Sequence, residues 1–177
     1  WMAERATKEI TRTPFELGRT IPIFDAPHEI ARSHAVQRPK IIPGKLLLPA
    51  GTPDVPARTL SFLKQQARIH LSERSKVHQD ALQPPRRFTQ ITIRDQKSVW
   101  GSCSAKGVLS YNWRLVMAPW HVLDALAAHE VAHLKHGHHR ESFWRTARWL
   151  CPRTDEAEAW LKRHGRNLSF YGPPRGG

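Results

Sequence analysis

His129-Glu130-Val131-Ala132-His133, running on into Leu134-Lys135-His136-Gly137-His138-His139, is the stretch on which the reading of this chain turns. Residues four apart on a helix lie about 40° apart around the axis and one turn above each other. His129 and His133 can therefore direct imidazole nitrogens at one point, with Glu130 beside them. Two histidines and an intervening glutamate in this register are the ligand pair and the general base expected of a zinc-dependent hydrolase. The upstream run from Pro119 to Ala128 predicts the helix that would carry them, since proline suits a first turn and Val122, Leu123, Leu126, Ala127, Val131 and Leu134 recur at helical spacing. Those apolar positions place the motif on a mostly buried helix.

A third ligand needs a different geometry. An unbroken helix would carry His139 about 240° round from His133, out of reach of the same ion. Gly137 offers a way out, because glycine readily takes the left-handed conformation that ends a helix and turns the chain back. His139 then comes within reach, while His138 and His136 compete with it. Glu156 or Glu158 would instead complete the set as in HExxH enzymes that use a downstream carboxylate. A closed structural site would call for four protein ligands, commonly cysteines, and Cys103 and Cys151 have no CxxC spacing. A solvated histidine tract would not place a glutamate in register between an i, i+4 pair on an apolar helix.

The chain of 177 residues is the size of one ordinary domain, large enough to bury a core without staples. Its two cysteines make no disulfide framework, and no stretch reads as a signal peptide or membrane span, so a reducing, cytoplasmic setting is expected. The formal net charge of +13 favours anionic partners, nucleic acid among them. Because Arg5, Arg19, Arg38, Lys64, Arg86, Arg145 and Arg163 are spread along the chain, a merely basic surface and nucleic-acid contact both stay open.

Residues 1–57 read as a β-rich arm or hairpin region, with apolar runs at Ile21-Pro22-Ile23-Phe24 and Lys45-Leu46-Leu47-Leu48. His28 and His34 read there as surface histidines. Residues 58–177 read as the core. Leu60, Leu63, Ala67 and Leu71 predict an amphipathic helix over about 59–82, ended by Gln83-Pro84-Pro85. A strand over 88–94 follows, then a hairpin of 98–104 and 108–116 around Ala105-Lys106-Gly107. After the motif, Phe143, Ala147 and Leu150 predict a short packing helix over 140–150, and a last helix over about 154–164 has Thr154 as its N-cap. Asp155, Glu156 and Glu158 then lie at its positive end, which gives those acids a helix-capping role.

Taken in order, Trp100-Gly101-Ser102-Cys103-Ser104, Gly107, Asn112-Trp113-Arg114-Leu115, Pro119, the HExxHLxHxxH run and Phe143-Trp144 resemble the YgjP-like branch of the SprT-like zinc metallopeptidases. The resemblance covers roughly residues 58–172 and is specific, because several tryptophan-containing words fall in the family's order. Two positions depart from it: His138 stands where the family usually has Asn, and Arg140 where it usually has Ser. The resemblance implies an α+β, zincin-like fold, a small antiparallel or mixed sheet packed on helices, with an edge strand above the HExxH helix. It implies one catalytic zinc ion held by His129, His133 and His139. It further implies that the strands about Trp100–Ser104 and Val108–Trp113 align an extended peptide by strand addition. The packing expectation for the same word is Trp100 in the core, Gly101 for close backbone approach and Cys103 as a small buried hydrophobe.

The mechanism expected on this basis is metal-assisted hydrolysis of a peptide bond in a protein or peptide substrate. Three histidines leave one zinc position for water, whose pKa falls towards about 7, and Glu130 takes its proton and returns it to the leaving amine. His136, His138, Arg140 and Tyr171 are the candidates for a second oxyanion donor. Two other readings predict different behaviour. A protease acting on DNA-bound or crosslinked proteins would be stimulated by DNA in a salt-sensitive way. A non-catalytic zinc-containing binding module would unfold on chelation and cleave nothing.

Overall fold

A computed structural model describes residues 12–173, which form two small mixed sheets and four α-helices. The first sheet holds β1 (Thr20–Ile23), β2 (Ala26–Ser33), β3 (Lys40–Ile42) and β4 (Lys45–Pro49) in the order β1-β2-β4-β3. β1 pairs antiparallel with β2, and β3 antiparallel with β4, whereas β2 and β4 run parallel. Alternation along β2 puts His28 and Ile30 inward, so His28 is buried rather than a surface residue, with its Nδ1 2.8 Å from the Ala26 carbonyl oxygen. Pro27 and the surrounding charges break up the apolar pattern that would have announced this strand.

Helix α1 (Val55–Ala81) starts four residues earlier than its apolar spacing suggests. The Asp54 side chain accepts a hydrogen bond from the Ala57 N–H at 2.9 Å, and Pro56 sits in the first turn, where a missing N–H costs nothing. Leu63, Ala67 and Leu71 form its buried stripe. The second sheet orders β5 (Gln90–Arg94), β7 (Val108–Asn112) and β6 (Gly101–Cys103) as β5-β7-β6, parallel then antiparallel. Tyr111 of β7 is fully buried and meets the Ser75 hydroxyl at 2.8 Å, which joins this sheet to α1.

The expected second hairpin arm stops at Asn112, whose side chain accepts from the Arg114 N–H at 3.0 Å and starts a 3-10 turn over Trp113–Met117. Helix α2 (Trp120–Ala132) follows, with Val122, Leu123, Ala127, Ala128 and Val131 completely enclosed. A helix apolar on almost every side belongs at the centre of a fold. It packs against α1, α3 (Glu141–Leu150), α4 (Thr154–Leu168) and β6. Thr154 does not cap α4 as expected: its hydroxyl donates back to the carbonyls of Cys151 and Ala147 at 2.7 and 3.2 Å, splicing α4 to the end of α3. Strands and helices share one continuous apolar core, in which Ile21, Ile30 and Leu46 of the first sheet join Leu71, Leu115 and Val122. No helix among the described residues is long and apolar enough to cross a membrane.

Candidate metal centre

α2 ends at Ala132, so His129 and Glu130 lie in its last turn and His133 is the cap residue. Beyond it the chain tightens: Leu134 and Lys135 donate to the carbonyls of Val131 and Ala132 at 3.0 and 3.1 Å, three residues back instead of four. This tightening makes the turn that Gly137 was expected to make. Gly137 does not have the left-handed backbone, and a Cβ there would meet only open space. The redirected chain brings His139 back over the helix end.

His139 Nε2 lies 3.0 Å from His129 Nε2 and 3.1 Å from His133 Nε2. Nitrogens bound about 2.1 Å from a tetrahedral ion stand about 3.4 Å apart, so three imidazoles facing one another at this spacing have the donor set and size of a zinc site. His133 Nδ1 donates to the His136 carbonyl at 3.0 Å, which leaves the Nε2 lone pair for an ion. His129 Nδ1 faces Glu158 Oε1 at 4.0 Å, on the side of the ring away from the cluster. Burial, reinforced by His133 and His139, lowers the His129 pKa to about 4, and burial also lowers that of His133. Both imidazoles are therefore neutral, as metal ligands must be.

The alternative ligands point elsewhere. His136 Nε2 meets the Thr146 hydroxyl at 2.9 Å, and Glu156 is gripped by Arg153 at 2.6 and 2.7 Å. His138 is exposed next to His139. The aromatic floor of the site is a feature that helical spacing alone reads only as packing. The Phe143 ring lies 4.8, 4.5 and 4.6 Å from the rings of His129, His133 and His139, and Trp144 flanks His129 and His139. The adjacent Phe143-Trp144 pair is the signal that points to it.

Glu130 is buried with no hydrogen-bond partner for Oε2, and burial pushes its carboxyl up to about 8. β6 crosses directly over it: a Cβ at position 101 would sit 2.5 Å from Glu130 Oε1 and 2.9 Å from its Cγ and Cδ. Any larger residue there must push the Glu130 side chain aside. Cys103, two residues on, packs against the core, and burial with the nearby Glu130 raises its thiol to about 11, which suits packing rather than nucleophilic attack.

A family model described as YgjP-like, metallopeptidase domain, matches residues 2–164. Among solved structures, the metallopeptidase zymogen of Pyrococcus abyssi abylysin aligns at 21% identity and a TM-score of 0.43, covering 55% of this chain and 93% of its own. No curated protein matches.

Proposed function

The chain belongs to the YgjP-like metallopeptidase family, and from that premise we propose a zinc peptidase in which His129, His133 and His139 hold the ion and Glu130 is the general base. The observation that carries this reading is the meeting of three Nε2 atoms within 4.8 Å of one another beside a buried carboxylate that nothing else uses. A structural acid this deeply buried would be paired. When bound, the ion supplies positive charge that keeps the Glu130 carboxyl ionised, Lewis-acid polarisation, and a water pKa lowered towards about 7.

The chain's own residues do the rest. Glu130 takes a proton from water as the water oxygen bonds to the scissile carbonyl carbon, and passes that proton to the amine nitrogen as the C–N bond breaks. Phe143 and the His133–His136 hydrogen bond hold the imidazoles in one orientation. β6 supplies the peptide rail. The Trp100 carbonyl and the Ser104 N–H are both spent on β7, so by antiparallel alternation Gly101 and Cys103 turn their N–H and C=O groups to the other edge. Among the described residues no strand occupies that edge, and an extended substrate added there runs alongside β6 at about 4.8 Å, next to the strand that covers Glu130.

Metal content of purified variants tests the reading. Wild type and His138→Ala should each retain one zinc ion per chain, and His129→Ala, His133→Ala and His139→Ala should lose it. Loss with His138→Ala but not with His139→Ala would overturn the ligand set.

A further inference from the structure

Two unlike pockets open at the two ends of the β6 rail. At the Trp100 end, a cavity of about 350 Å³ between α2 and α4 is walled by Trp100, Val122, Leu126, Leu161 and one face of His129. Its walls are mostly apolar, with Glu158 and Lys162 also lining it, and the volume accommodates a large side chain. At the Ser104 end, a groove of about 250 Å³ is lined by Arg86, Arg87, Lys106 and His133. Among the described residues Arg86, Arg87 and Lys106 take part in no ion pair.

The two pockets are in register with the rail. β6 runs along the end of α2 with Trp100 sharing a cavity with His129, Gly101 against Glu130, and Gly107 beside Leu134 at 3.7 Å for a built Cβ. From Trp100 to Ser104 is four strand steps, about 13 Å at 3.3 Å per residue. A peptide paired with β6 therefore reaches both pockets with side chains about four residues apart, and the candidate metal centre lies between them.

Resting on the reading of this site as a peptidase, we propose that the cleft selects protein segments with a bulky apolar side chain on one side of the scissile bond and an acidic side chain on the other. The cavity under Trp100 takes the first and the Arg86, Arg87 and Lys106 groove takes the second. A carboxylate fits the groove by charge, and the peptide rail leading into it makes a polypeptide the fitting carrier of that charge.

The test uses the full chain, zinc-loaded and carrying Glu130→Gln, with fluorescent decapeptides. These bear Ala, Leu, Phe or Trp at one position and Glu, Gln or Lys four residues along, in both chain directions. Phe should bind about ten- to a hundredfold more tightly than Ala. Glu should bind about fivefold more tightly than Gln, a margin that shrinks with salt. Arg86→Ala, Arg87→Ala and Lys106→Ala combined should bring Glu and Gln within about twofold of each other. Equal affinities across the series, or Lys preferred to Glu, would overturn the proposal. So would single-stranded DNA displacing acidic and neutral peptides alike, since the groove would then be a phosphate track. Digestion of the same peptides by wild type separates the two levels: turnover without the selectivity removes this inference alone, and selective binding without turnover removes the peptidase reading alone.

Discussion

Asp124 and Glu130 stand six residues apart on α2, and the two halves of that helix house them in opposite ways. Asp124 accepts from Arg74 at 2.7 Å and meets His78 Nε2 at 2.6 Å. Burial alone would raise its carboxyl, but those hydrogen bonds outweigh the burial and hold it below the ordinary carboxylate value. Glu130 receives the burial and none of the partners, and its carboxyl rises instead. The first acid ties α2 to α1. The second carries a desolvation cost with no structural return, as the general base we propose would. The N-terminal half of α2 is therefore a fastening, and the C-terminal half carries the proposed ligands and base.

Phe143→Ala offers the largest effect that bears on this division. Removing a fully buried ring that underlies all three imidazoles should cost about 3–5 kcal/mol and weaken zinc binding as well. Denaturant melts with a zinc titration check it, and a loss of stability with unchanged affinity would detach the aromatic floor from the site. Gly101→Ala comes next. A methyl group 2.5 Å from Glu130 Oε1 must displace the carboxylate, and a shift near 1 Å costs about a hundredfold in kcat. Zinc content should stay at the wild-type level, which separates a misplaced base from a lost ion.

Asp124→Asn tests the fastening half, with an expected loss of about 2 kcal/mol from breaking a partly buried pair. A carboxyl whose folded pKa is depressed stabilises the fold above its unfolded value of 3.8, and that stability fades as pH falls through the lower, folded value. Thermal melts should show the wild type losing its margin over Asp124→Asn on acidification below about pH 4. A margin independent of pH would mean that Asp124 is held by packing rather than by charge.

Much of this was legible in the chain. The apolar positions around His129 and His133 specify a buried helix because periodicity reports burial directly. Glycine between Trp100 and Ser102 marked a close backbone approach, and the structure shows that the approaching group is Glu130. The exit from α2 was not legible. It depends on the His133 ring bonding to the His136 carbonyl and on a switch to three-residue spacing, and neither leaves a compositional trace, so Gly137 drew the expectation instead. Thr154 misled for a related reason, because a hydroxyl free to rotate can bond backwards as readily as forwards. The bounds of β2 within the β-rich arm leave little trace in the chain, because only His28 and Ile30 of its eight residues are buried, too few to set an alternating apolar pattern.

We propose that Glu130 moves the proton while the three histidines hold the ion. Peptide turnover by zinc-loaded Glu130→Gln, with metal content measured on the same sample, tests it most directly. Wild-type zinc occupancy is expected, with turnover reduced about a thousandfold or more. Full occupancy with wild-type turnover would contradict it.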